Sequence, residues 1–191
     1  MNPIVVRKLT LFAFALAAVP ALAGDAGLLE ETRSVAMSVP SKLLAVLQEE
    51  IKQGGPEGAI AACRDKAPQL AREASEKTGW AIRRVSLRNR NPKAVPDAWE
   101  KAVLEDFDKR SAAGEKPASL ERGEIVLEGD RKLYRYMKAL PTQDLCLNCH
   151  GASERLSPAV KARLGELYPN DKAVGYSPGE IRGAITIKRP L

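Results

Sequence analysis

The chain has 191 residues, 45% of them hydrophobic, with 30 Lys and Arg against 24 Asp and Glu for a net charge of +6. This is one domain's worth of chain, with enough apolar content to bury a core that encloses a ligand. The charges are of both signs and interleaved, with no dense basic run carrying aromatics, which excludes a nucleic-acid partner.

Met1 to Ala23 carries two early cations, Arg7 and Lys8, an apolar run from Leu9 to Val19, and Ala21-Leu22-Ala23 as a small-residue cleavage site. Together they predict a secretory signal peptide cleaved near Ala23/Gly24, with a retained membrane anchor as the alternative. The run is short for a bilayer span, and no later stretch of about twenty apolar residues follows. The expectation is therefore a periplasmic or secreted protein, not integral to the membrane, with residues 24–191 as a single domain. Without the leader, 28 cations face 24 acids, a mild balance that suits an acidic redox partner or an ordinary solvated face.

Asp25 to Gln53 reads as the longest helix. Val35, Val39, Leu43, Leu47 and Ile51 recur every four residues beside Leu44, and Pro40 predicts a bend. Such a helix packs on its own domain or forms a homodimer. Met37 on it is a core residue or an iron ligand. Gly54-Gly55-Pro56 breaks the chain, and a second helix follows from Glu57 to Lys77, started by Pro56 and ended by Gly79. Ile60, Cys63, Ala67, Leu70 and Ala74 recur at spacings of three and four, which puts Cys63 on the buried face. Pro68 predicts an irregular middle. The small Ala59, Ala61, Ala62 and Ala67 let a flat, bulky group approach closely.

Trp80 to Leu87 alternates like a strand and ends in the polar loop Arg88-Asn89-Arg90-Asn91-Pro92. Arg83, Arg84, Arg88 and Arg90 are candidate partners for carboxylates, whose shape matches guanidinium; a solvated strand edge is the other reading. Asp97 and Glu100 form a capping box for a helix that turns Trp99, Val103, Leu104 and Phe107 inward and closes at Gly114-Glu115-Lys116-Pro117. From Leu120 to Leu140 the period becomes two, with Gly129-Asp130 as a hairpin turn. Tyr134, Tyr136 and Met137 are candidates for a pocket wall. Ser157 and Pro158 start a short helix, and Gly175 to Arg189 ends in a strand centred on Gly183 to Ile187. Helices first and strands later, with helices between, predict an α+β fold with a mainly antiparallel sheet.

The chemistry concentrates at Cys146-Leu147-Asn148-Cys149-His150, the attachment pattern of a c-type haem. Two thiols three positions apart reach the two vinyl groups of one porphyrin edge as thioethers, and the imidazole that follows ligates the iron. The only histidine of the chain stands at that position. A structural zinc shell of Cys63, Cys146, Cys149 and His150 and a thioredoxin-like disulfide are the rival readings. Three cysteines also leave one thiol over in an oxidising compartment. Cys63, on its buried alanine-rich face, is either the second axial ligand or a small buried hydrophobe.

Several blocks together resemble one family. They are Cys63 with Ala67-Pro68, Arg84 to Leu87, Arg90-Asn91-Pro92, Pro96 to Glu100, Cys146 to Gly151, Tyr168 to Tyr176, and Arg182-Gly183-Ala184. The chain is similar over nearly its whole mature length to bacterial c-type haem proteins first described as a domain of unknown function. The resemblance implies a PAS-like antiparallel sheet flanked by helices, one covalent haem c on Cys146 and Cys149, His150 as proximal ligand and Cys63 as distal ligand. Ala94 departs from the asparagine expected in its loop. Arg84, Arg88 and Arg90 are then the expected propionate partners. Six-coordinate His/Cys iron argues against oxygenase or peroxidase chemistry, and with no second histidine there is no evident acid/base partner. The expected function is one-electron transfer or redox sensing with an unidentified redox or signalling protein. The alternative is a gas or redox sensor in which Cys63 dissociates on reduction.

Overall fold

A computed structural model describes residues 21–191. The cationic and apolar segments of the expected leader lie outside the described residues. Among the described residues no helix is long and apolar enough to cross a membrane.

The chain opens with α1 (Ala21–Thr78), whose one non-helical residue is Gly55, at φ 69° and ψ 176°. Val35, Ala36 and Val39, before Gly55, share a hydrophobic cluster with Leu70 and Ala74, after it. A straight helix would hold Val39 roughly 46 Å from Leu70 at 1.5 Å per residue. The chain therefore reverses at Gly55, and α1 is two limbs lying side by side. Only glycine takes that φ/ψ pair readily, and the following Pro56 further disfavours a helical residue there. The break expected at Gly54-Gly55-Pro56 is this reversal. Pro40 and Pro68 stay in segments of helical φ/ψ, so the irregular middle expected at Pro68 is absent.

The strands are β1 (Ala81–Val85), β2 (Glu121–Glu128), β3 (Arg131–Pro141) and β4 (Ile181–Pro190), in the order β1-β4-β3-β2 with every neighbour antiparallel. The fold is thus α+β with a long N-terminal helix, as expected. Glu128 pairs with Arg131, so the hairpin turn is Gly129-Asp130, with Gly129 at φ 62°. Glycine first with positive φ and a non-glycine second fits the II′ turn that matches strand twist.

Alternation along β3 and β4 gives the sheet two apolar faces. Ile82, Tyr134, Tyr136, Ile185 and Ile187 meet both limbs of α1. Val85, Met137, Ala139 and Ala184 meet Val103, Leu104 and Phe107 of α2 (Ala98–Ala112). Tyr134, Tyr136 and Met137 are therefore core residues, not the pocket wall their sequence position suggested. Tyr136 spends its hydroxyl on Glu121, at 2.6 Å, and the same carboxylate holds Arg33 of the first limb at 2.6 Å.

The capping box of Asp97 and Glu100 is present. Glu100 is wholly buried, and its carboxylate is matched by Arg83 and by Arg135 at 3.4 Å. Met37 is exposed on the first limb. Replacing Gly55 with alanine should cost about 1–3 kcal/mol in urea unfolding, because the backbone must leave its left-handed conformation. Gly54→Ala, where no atom would crowd an added Cβ, should leave stability unchanged or slightly raised.

Candidate functional site

The C-x-x-C-H residues lie on a 3-10 turn (Asp144–Cys146) that runs into α3 (Leu147–His150), a single helical turn. Gly151 closes it, its N–H donating to Leu147 O at 3.0 Å. A Cβ there would stand 2.7 Å from the same oxygen, so the position after the histidine excludes a side chain.

Residues 171–176 form a strap along this turn. The Gly175 N–H donates to Gly151 O at 2.7 Å and the Tyr176 N–H to His150 O at 2.9 Å. Arg90 ties the strap down from the β1 side, donating to Cys149 O at 2.5 Å and Ala173 O at 3.3 Å. It is held there by an ion pair with Asp171 at 2.9 Å, both side chains nearly buried. Asp171 in turn accepts the Ala173 N–H at 2.8 Å.

Two groups approach His150 Nδ1: Ala173 O at 2.6 Å and Arg182 Nε at 3.2 Å. They ask for opposite tautomers. A carbonyl oxygen only accepts, so at 2.6 Å Nδ1 must carry the proton, and we assign it there. Nε2 is left as a bare lone pair. Burial, then the nearby Arg182 and Arg90, hold the imidazole pKa well below its ordinary value, which keeps the ring neutral at pH 7.

The second limb of α1 faces the motif. Ile60 packs with Leu156, Val160, Leu164 and Tyr168, the last three from α4 (Pro158–Leu167) and its end, and Cys149 packs on that cluster. Cys149 Sγ lies 3.9 Å from Pro56 O. Cys63 follows Ile60 by one turn, within electrostatic reach of Cys146 and Cys149. Burial raises the pKa of Cys63 and pushes that of Cys149 up to about 11. Among the described residues no three His, Cys, Asp or Glu stand close enough to hold a metal ion. A Cys3His zinc shell is not assembled among the described residues.

The arginines divide into two sets. Arg83 is committed to Glu100, Arg90 to Asp171, and Arg88 to the carbonyls of Lys172 and Val174 and the ring of Tyr176. Arg84 has neither hydrogen bond nor ion pair among the described residues, although it is half-buried and within reach of Cys63 and Cys146. Arg182, 6% exposed, has no ion pair among the described residues: it donates to Ser86 Oγ at 3.2 Å and Arg88 O at 3.4 Å and lies over the Tyr176 ring at 5.4 Å. Burial, then Arg84, lowers its pKa to about 9. A buried guanidinium and a half-buried one, neither ion-paired, beside the motif make a site that attracts an anion. Sequence reasoning found Arg84 but gave no role to Arg182, Asp171 or Tyr176, and the carbonyl of Ala173 leaves no trace in side-chain identity.

Residues 25–190 match the Tll0287-like family, and the chain belongs to it. Among solved structures, that of the cyanobacterial heme-protein Tll0287 is similar, with a TM-score of 0.62 and 26% identity over 85% of this chain and 96% of the other. No curated protein sequence matches. The family resemblance drawn from the sequence blocks is thereby shown.

Replacing Asp171 with Asn leaves Arg90 buried without its anion. Thermal or urea unfolding of that variant should show a loss of about 3–5 kcal/mol, with Arg163→Gln, on exposed α4 surface, unchanged.

Proposed function

We propose that this chain is a mono-haem protein with haem c bound through thioethers at Cys146 and Cys149, His150 as proximal and Cys63 as distal iron ligand. The observation that carries the reading is the 2.6 Å approach of His150 Nδ1 to the Ala173 carbonyl oxygen. With Nδ1–H committed to Ala173, Nε2 offers the lone pair that a metal-bound imidazole needs, oriented by a carbonyl as such ligands usually are. Membership of the Tll0287-like family, and the heme-protein title of the similar structure, support the same cofactor.

The residues fit the group in charge as well. A porphyrin bearing two propionates has two anions to place, and half-buried Arg84 and buried Arg182 are two cations without an ion pair. Arg88 and Arg90, expected in that role, instead hold the strap. Ala59 and Ala67, one turn to either side of Cys63 on the same face, leave the second limb free of bulk there. Haem supplies a one-electron Fe(III)/Fe(II) couple tuned by its ligands. An anionic Cys63 sulfur favours the oxidised state, so the potential should be low. Function is then one-electron transfer or redox sensing with a redox or signalling protein, in the periplasm or outside the cell after leader cleavage. We read the sheet as PAS-like, and the first limb of α1 as the surface for any homodimer.

A second reading, a ligand switch, is favoured by the surroundings of Cys63. Its sulfur has no hydrogen bond among the described residues, and burial favours the thiol. On reduction Cys63 would take a proton at Sγ and withdraw, leaving the iron open to CO or NO.

Chain purified from a maturation-competent host should carry one haem by mass, and a Cys146→Ser, Cys149→Ser double variant none; colourless protein from that host would end the reading. Cys63→Ala should change the ferric spectrum, and an unchanged spectrum excludes that ligand. Rapid CO binding by the ferrous protein selects the switch, and a ferrous form that stays six-coordinate selects the carrier.

A further inference from the structure

The His150 ring stands between two groups that favour opposite tautomers. Ala173 O, 2.6 Å from Nδ1, requires a proton there, whereas Arg182 Nε, at 3.2 Å, is a donor that would take Nδ1 as a lone pair. If the carbonyl withdrew, Nδ1 would accept from the guanidinium and the proton of the neutral ring would move to Nε2. Nε2 would then have no lone pair to offer a metal. The place of one main-chain oxygen therefore decides whether the single histidine of the chain can act as a ligand.

That oxygen belongs to the strap, 23 positions beyond His150 in sequence. Asp171 connects the two. Its Oδ1 accepts the Ala173 N–H at 2.8 Å, and its Oδ2 accepts from Arg90 Nε at 2.9 Å. Arg90 Nη2 in turn donates to Cys149 O at 2.5 Å, one residue before the ring, and to Ala173 O at 3.3 Å. The residue that carries the acceptor is thus held at both its polar atoms and fastened to the backbone that carries the imidazole. The side chains of Arg90 and Asp171 are 9% and 11% exposed, so their charge-assisted bonds act with little competition from water. Arg88 and main-chain bonds at Gly175 and Tyr176 tie down other residues of the strap. A chain without the pair keeps the strap attached while residue 173 is released.

We propose that Asp171 is a positioning residue that selects the tautomer of His150, holding Ala173 O on Nδ1–H so that Nε2 stays a lone pair. A carbonyl on the far nitrogen also makes an imidazole a stronger donor. In the haem-loaded chain, loss of that contact weakens the donor and raises the reduction potential. This effect on the potential rests on the proposed haem ligation; the placement of the proton does not.

Because the chain has one histidine, NMR of protein labelled with ¹⁵N-histidine, in its reduced form, reads the proton directly. The wild-type chain should give one slowly exchanging Nδ1–H signal. Asp171→Ala should lose that signal and shift the ferric/ferrous equilibrium about tenfold toward the ferrous form, about 59 mV for one electron. Lys172→Gln, whose side chain is exposed on the same strap, should change neither. Arg90→Lys keeps its charge but cannot span Asp171 and Cys149 O together; it should also lose the signal, and it replaces Asp171→Ala if that variant does not fold. A wild-type chain without the signal, or a variant that keeps it, overturns the proposal even where the potential moves, since a change of charge alone moves the potential. Colourless protein whose signal disappears in Asp171→Ala would end the haem reading and leave Asp171 in its role. Haem-loaded protein whose signal survives the substitution would do the reverse.

Discussion

Everything at the candidate site depends on the chain doubling back at Gly55. The apolar pattern of the first limb alone would drive a long helix across the sheet, and Cys63 would then lie far from the only histidine. Because Gly55 takes a conformation closed to other residues, Val39 and Leu70 meet over the same sheet face, and the limb that carries Ile60 and Cys63 is set against α3 and α4. Two side-chain clamps then hold the arrangement: Arg33 on Glu121 fixes the first limb to β2, and Arg90 on Asp171 fixes the strap to the motif.

The electrostatics of that site are unbalanced in a way ordinary cores are not. Elsewhere the molecule matches its buried charges closely: Glu100 has Arg83 and Arg135, and Asp171 has Arg90. Beside Cys63 and His150 the rule fails, with buried Arg182 and half-buried Arg84 both lacking an ion pair. Burying a charge without a counter-ion is expensive unless something bound supplies one. The surplus is thus best understood as half of an interaction whose other half is carried by a ligand.

Much of this was legible in the residues. The capping box at Asp97 and Glu100, the Gly129-Asp130 hairpin, the Ser157-Pro158 helix start and the break at Gly55 all follow from local backbone chemistry, which nearest neighbours decide. Three features were not legible. The burial of Tyr134, Tyr136 and Met137 depends on which faces the helices cover, a tertiary matter that a period-two pattern leaves open. The sorting of the arginines depends on partners about 80 to 100 positions away in sequence, such as Arg90 with Asp171 and Arg182 with Ser86. The orientation of His150 is set by a main-chain carbonyl, so no side chain could have announced it. Pro68 shows a weaker signal yielding to context, since the limb stays helical through it.

The place of β4 in the sheet bears on how the molecule matures. The last strand of the chain lies between the first and the third, pairing with both β1 and β3. Arg182 and the two sheet faces therefore come together only after the C-terminal residues have emerged and inserted. Pairings this distant in sequence form slowly. Through that delay the Cys146–Cys149 turn lacks the strand that carries Arg182, and the site is completed only when the sheet closes.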